Sequence, residues 1–314
     1  MSEQPSTRPR LAPPVGPREL SGRTVLMSGG SRGIGHAIAV ALAAQGANLV
    51  LLAKTDEPHP TLPGTVHSAV ADVEAAGGRG LAVVGDLRSD ENVDRAVAAA
   101  EEAYGGVDVV VNNASAIDLS PTESLSMKRW DLMHDINVRG TFRLSQAAMP
   151  HLRASARAAS GGGQEAGSPW RPQILTLSPP LTDAEGRLEP EWFGRHLGYT
   201  MAKYGMSMTT LGLARELADD GVLVNSLWPA TLIDTAAVRA MPGGEGLVRS
   251  ARRPQIVADA ARAVLTGAVG APSGEFLVDE QVLEASGVAD LRGYAVEDGR
   301  ELIPDAFLPA ALDA

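Results

Sequence analysis

Tyr199 and Lys203 stand at the two ends of the run YTMAK, and residues four apart share one face of a helix. A phenol that titrates near pH ~10 is a poor proton carrier at neutral pH. An ammonium at its side, or a cationic nicotinamide ring, favours the phenolate and lowers that value. The pair then suits proton exchange with a carbonyl or alcohol oxygen while hydride moves to or from a cofactor. The spacing also occurs on ordinary helices, so its weight comes from the rest of the chain. Tyr204 is the rival phenol; one residue past Lys203, it is expected to point away from it.

Two further polar residues belong to the same chemistry. Asn137 lies in INVRG within a helical pattern, a place asparagine takes where its amide has a partner. It is a candidate to hold a backbone carbonyl and a water that relays protons to Lys203; a satisfied structural amide is the plain alternative. Ser178, just past the fifth apolar run, is a candidate donor to the substrate oxygen. Pro179 and Pro180 stiffen its loop.

Upstream, Ser28-Gly29-Gly30-Ser31-Arg32-Gly33-Ile34-Gly35 closes the first apolar run and opens a helix. Glycine lets the backbone take positive φ and approach a ligand, and a helix N-terminus offers free N–H groups to an anion. Alone, such a turn could be a tight loop; between strand and helix it favours a dinucleotide. It lacks the Gly-Lys-Ser/Thr end of a P-loop, which disfavours ATP hydrolysis. Lys54 ends the second run, where NAD-binding folds place a carboxylate for the ribose hydroxyls. With Arg32 it makes a cationic spot suited to a 2′-phosphate. NADP(H) is therefore the expected cofactor; Asp56 nearby keeps NAD(H) as the alternative. Asp86 and Leu87 end the third run, Asp86 facing the adenine edge or capping the next turn. Asn113 and Ala114 end the fourth, beside a ligand crevice, although Asn113 also suits a simple turn.

These residues must be carried by a regular frame. Apolar runs at 24–27, 48–53, 80–84, 107–111, 173–177, 222–227 and 275–278 read as strands. Helical patterns fill 34–45, 66–76, 91–104, 127–152, 199–218 and 256–266, the fourth as one bent helix or two joined pieces. The alternation implies an α/β fold: a single Rossmann-type domain whose doubly wound, seven-stranded parallel sheet is flanked by helices. Residues 1–20 read as a flexible arm and 21–280 as the domain. Polar surface insertions are expected near 155–172 and 182–190, and 281–314 as a C-terminal extension packed on the domain.

Composition removes other classes. None of the 314 residues is cysteine, which excludes disulfides, thiolate zinc or iron–sulfur sites and a thiol nucleophile; no metal site is expected. A net charge of -11 disfavours a nucleic-acid partner, which needs a basic face. The first 20 residues lack the apolar core of a signal peptide. Stretches such as AIAVALAAQGANLVLLA are interrupted before the ~20 residues of a membrane span. No stable membrane insertion and a cytoplasmic location are the expectations.

Taken together, the glycine turn, the NNAS segment at 112–115, Asn137 and the Tyr199/Lys203 pair resemble the short-chain dehydrogenase/reductase family. The resemblance covers about residues 22–278, with Ser28 in place of the family's threonine and Ser115 in place of a glycine. It implies a tetrad of Asn137, Ser178, Tyr199 and Lys203, with Lys203 also holding the nicotinamide ribose. It implies Pro229 and Ile233 near the nicotinamide, Thr235 near the pyrophosphate and a substrate lid at 234–254. The runs SPPL, YTMAKYGMSM and NSLWPATLIDTAA, and the tail with PDAFL, are similar to the hydroxysteroid-dehydrogenase-like group. Animal members of that group carry a sterol-carrier domain beyond this point, whereas this chain is expected to lack one. One departure stands out. Ser178 lies 21 residues before Tyr199, against about 13 in the family, and Pro179 takes the register of the usual serine.

The resulting expectation is a carbonyl/alcohol oxidoreductase acting on a small molecule, lipid-related or apolar. Trp192, Phe193, His196 and Trp228 are candidates to line its pocket, and a homodimer or homotetramer is expected through the helices at 127–152 and 199–218. A cofactor-binding protein without turnover, acting as a redox sensor or partner-binding module, is the alternative. A methyltransferase would have no use for the Tyr199/Lys203 pair.

Overall fold

Residue alternation decides which helical layer each strand packs against. In β1 (Thr24–Ser28), Val25 and Met27 join one core cluster and Leu26 the other, as side chains of period two must. Every residue of β1 and of β2 (Asn48–Ala53) is buried, which a parallel strand covered on both faces requires. The computed structural model describes residues 20–59, 63–161, 170–182 and 190–308.

β3 (Arg79–Val84), β4 (Val109–Asn112), β5 (Gln173–Thr176), β6 (Leu223–Trp228) and β7 (Phe276–Val278) complete the sheet. Its order is β3-β2-β1-β4-β5-β6-β7, and each neighbouring pair is parallel. The winding reverses between β1 and β4, and a ligand crevice opens beyond the carboxyl ends of strands at such a point.

Helix α1 (Gly33–Ala43) follows the glycine turn, and α2 (Val66–Ala75) starts from a capping box of Thr65 and Ser68. Helix α3 (Asp90–Tyr104) is capped by Ser89 and stopped by Gly105 at φ 84. The expected helix at 127–152 is three pieces: α4 (Met127–Met133), a π-helical stretch (His134–Gly140) and α5 (Thr141–Gly161). Then come α6 (Pro190–Arg195), α7 (Leu197–Glu216), α8 (Ala236–Arg239), α9 (Gly244–Leu247), α10 (Gln255–Leu265) and α11 (Asp279–Ala285). Helices α1, α2 and α10 cover one face of the sheet, and α3, α5 and α7 the other.

Several residues assigned to the expected arm and insertions pack on the domain or continue its helices. Leu20 is fully buried, and residues 1–19 lie outside the described residues. Residues 155–161 continue α5, where alanine and arginine favour helix. Trp170 is 8% exposed; its indole N–H donates to the Leu265 carbonyl at 3.3 Å, and Arg23 lies over its ring. Of the two insertions, 162–169 and 183–189 lie outside the described residues. The C-terminal stretch folds back on the sheet's carboxyl edge: Leu232 N–H donates to the Ile303 carbonyl (2.8 Å) and Asp305 N–H to that of Ala230 (2.9 Å).

Candidate active site

A cleft of about 400 Å³ opens beyond β1, β2, β3 and β4. It is lined by Gly29, Ser31, Arg32, Gly33, Ile34, Gly35, Lys54, Asp86, Leu87, Asn113 and Ala114, all expected from the sequence, and by Ser115. Its floor is backbone brought close together. Gly29 has φ +74, and a Cβ there would stand 2.8 Å from Ala114 Cα. A Cβ on Gly35 would stand 2.3 Å from Asn113 Nδ2 and 2.5 Å from the Gly29 carbonyl oxygen. Asn113 is the clamp: its amide donates to the carbonyls of Ser28 (3.2 Å) and Gly29 (2.8 Å). The hydroxyl of Ser28 accepts from Ala114 N–H at 3.2 Å, so Ser28 acts behind the cleft. Helix α1 begins with no side-chain cap, which leaves its first N–H groups for an anion. This cradle fits the pyrophosphate of a dinucleotide.

The cations at the rim have partners of their own. Arg32 donates to Thr55 Oγ1 at 2.6 Å. Lys54 pairs with Asp86 at 3.2 Å, and Arg88 binds the same carboxylate. The Arg88 guanidinium holds Asp86 well below the usual carboxylate range, against the opposing effect of burial. Thr235 caps α8 and stands beside Gly33. The expected lid at 234–254 packs near α1, around a second cavity of about 540 Å³ that includes Arg32, Gly33, His36, Thr235 and Arg239.

The expected proton-transfer pair sits at the start of α7. Tyr199 is 8% exposed and Lys203 is 2% exposed. The Lys203 ammonium donates to the Leu177 carbonyl at 2.6 Å, meets Met206 Sδ at 3.2 Å and lies 4.7 Å from the Trp228 ring. Burial dominates both groups. It draws Lys203 down to about 7. It also pushes the Tyr199 phenol well above its ordinary range, with the charge of Asp305 adding to the rise and a hydrogen bond from Ser115 opposing it. The spacing predicts that Lys203 favours the phenolate; burial instead raises the phenol's pKa.

Ser178 has a hydroxyl partner of its own. It is fully buried, and its hydroxyl hydrogen-bonds Ser226 Oγ at 2.8 Å, which in turn meets Thr210 Oγ1 at 2.8 Å. The Pro179 carbonyl beside it accepts from Ser207 at 2.6 Å. Asn137, in the π-helical stretch, is fully buried and holds both backbone groups of Ala116: Oδ1 accepts from its N–H at 2.8 Å and Nδ2 donates to its carbonyl at 2.9 Å. Pro229 and Ile233 lie buried beyond β6, and neither lines the 400 Å³ cleft.

The sequence reading missed what the tail does here. Phe307 lies 5.5 Å from the ring of Trp192, 6.0 Å from Tyr199, 5.8 Å from Tyr204 and 5.6 Å from Trp228, between centroids. Tyr204 packs on the same Phe307 ring as Tyr199, and Phe193 joins them through Tyr204 at 5.3 Å. His196 packs on Trp192 and bonds the Leu119 carbonyl. Asp305 accepts from Trp228 Nε1 (2.6 Å) and Phe307 N–H (2.9 Å), and burial pushes its carboxyl up to about 6. No local periodicity marks Asp305 or Phe307; only the return of the chain brings them in. Among the described residues no cluster of three His, Cys, Asp or Glu could hold a metal, and no helix is long and apolar enough to cross a membrane.

A doubly wound parallel sheet with a glycine cradle at its switch point is a dinucleotide-binding architecture. Comparison agrees. The short chain dehydrogenase family model matches residues 23–162. A hydroxysteroid dehydrogenase-like protein 2 of Xenopus laevis is 46% identical over 290 residues, 92% of this chain and 64% of that relative. The chain thus spans somewhat less than two thirds of that protein. A protein of Xanthomonas campestris with a known crystal structure is 49% identical, with 92% of this chain and 98% of that one covered and a TM-score of 0.81. A short chain dehydrogenase of Mycobacterium thermoresistibile is 46% identical, with 92% and 96% covered and a TM-score of 0.79. The chain belongs to the short-chain dehydrogenase/reductase family.

Proposed function

We propose that this chain interconverts a carbonyl and an alcohol with NADP(H), using Tyr199 as the group that gives or takes the proton. The observation that carries the reading is the buried Tyr199/Lys203 face of α7, against the carboxyl ends of β5 and β6. A bound nicotinamide supplies or accepts the hydride. In the reducing direction the carbonyl carbon gains that hydride and its oxygen takes the Tyr199 proton, so the carbonyl is reduced and the dinucleotide oxidised. Lys203 is within easy reach of both protonation states at neutral pH, and holds the ribose and restores the phenol proton. Asn137 fixes Ala116 and with it the wall of the cleft. Arg32 and Lys54 at the cleft rim support a 2′-phosphate and hence NADP(H) over NAD(H).

The aromatic rings around Tyr199 support a small, apolar or lipid-related substrate. Exposed Phe142 on α5 and Met208 and Leu211 on α7 support a homodimer or homotetramer. One observation favours a second reading, dinucleotide binding without turnover: Phe307 fills the apolar room beside Tyr199. A panel separates the two, with a methyl ketone and a 3-oxoacyl thioester followed by NADPH consumption and a 3-hydroxy acid by NADP+ reduction. Turnover of at least one member is expected, and Tyr199→Phe lowers kcat about 10³-fold while NADPH binding persists. Full activity in that variant overturns the tyrosine mechanism; no turnover by the wild type favours the second reading.

A further inference from the structure

We propose that Ser115, at the carboxyl end of β4, supplies the hydroxyl that receives the substrate oxygen beside Tyr199. This inference rests on the tyrosine reading above. The family pattern places such a hydroxyl after β5, and here the serine that follows that strand is engaged elsewhere. Ser178 is turned into a buried chain of hydroxyls with Ser226 and Thr210. The next residue, Pro179, has neither hydroxyl nor N–H, and its carbonyl is held by Ser207.

Ser115 has the opposite placement. It is exposed, it lines the cleft, its neighbour Ala116 packs against the cluster that holds Tyr199, and its side chain opposes the rise of the phenol's pKa. A serine hydroxyl carries one proton and two lone pairs. It can therefore donate to a substrate oxygen seated between the two hydroxyls, while the phenol keeps its single proton for that same oxygen. The proton that ends on the substrate is still the phenol's, so Ser115 orients and stabilises charge without net transfer.

Its position is held from both sides. The N–H of Ala114 is fixed to Ser28 Oγ at 3.2 Å. The N–H and carbonyl of Ala116 are both clamped by Asn137. A donor pinned before the reaction costs little reorganisation as charge develops. The clamp also gives the π-helical stretch a purpose: it presents the Asn137 amide that fixes this wall.

The test uses the full chain and whichever of the methyl ketone, 3-oxoacyl thioester or 3-hydroxy acid turns over fastest. Ser115→Ala is expected to lower kcat about 100-fold, with little change in NADPH affinity by fluorescence titration. It also moves the phenol-dependent limb of the pH–kcat profile to higher pH, because a hydrogen bond to the phenolate is lost. Ser115→Thr keeps the hydroxyl and restores most of kcat and the profile, which a purely structural defect would not do. Wild-type kcat in Ser115→Ala with an inactive Tyr199→Phe overturns this proposal alone, as does a larger kcat loss in Ser178→Ala than in Ser115→Ala. Full activity in Tyr199→Phe removes the reading on which it rests.

Discussion

The dinucleotide cleft and the Tyr199 end of the molecule are built in opposite ways. The cleft is backbone: glycines without side chains, carbonyls clamped by Asn113, and the uncapped start of α1, contributed by strand ends that are sheet neighbours. It is open, and a mobile anion is its natural occupant. The Tyr199 end is side chain: a phenol, an ammonium, an indole and a phenyl ring, from α7, β6 and the C-terminal tail. It is closed, and a residue of the chain itself sits in its middle. Backbone sites tolerate changes of neighbouring side chains but fail when a Cβ intrudes. Side-chain sites fail when any distant contributor is lost, and their protonation follows burial rather than motif.

Three substitutions sharpen this contrast. Gly35→Val is expected to be the most damaging, because its Cβ would collide with Asn113 and the Gly29 carbonyl. A loss of about 100-fold in NADPH affinity should follow, measured by fluorescence titration; wild-type affinity would mean that the cradle gives way. Phe307→Ala is the matching change at the closed end. Removing a 5% exposed ring should cost about 3 kcal/mol of stability in urea unfolding, while NADPH affinity is retained. A loss below about 1 kcal/mol would show that the tail is loosely seated. Lys54→Ala should have the smallest effect. An exposed cation already paired with Asp86 contributes about 1 kcal/mol at most, so NADPH binding should weaken about fivefold and NADH binding should hold. Equal weakening of both would argue against a 2′-phosphate at Lys54.

How much of this was legible differs between the two regions for the same reason. The strands and the glycine cradle are local: apolar runs between helices predict a parallel sheet, and a turn after the first strand predicts an anion site at its carboxyl end. Eleven of the residues expected to hold the cofactor line the cleft. Boundaries were less legible where composition misled, as at 155–161, where small residues read as a loop continue α5. The direction of a side chain was not legible at all. Ser178 and Ser115 both follow strands of the sheet and both precede small or stiff loops, yet one is buried against Ser226 and the other meets Tyr199. Pleat and register choose the face, and a shift of one residue exchanges the two.

The sequence alone therefore determined the fold class, the glycine turn at the carboxyl end of β1 and the spacing that puts Tyr199 and Lys203 on one helix face, because each rests on spacing within a few residues and on strand order. The tertiary structure decided which way Ser115 and Ser178 face, in which direction burial displaces Tyr199 and Lys203, and that Asp305 and Phe307 pack at this end. Those depend on contacts between segments as much as a hundred residues apart, and a one-dimensional pattern holds no record of which distant surfaces will exclude water from one another.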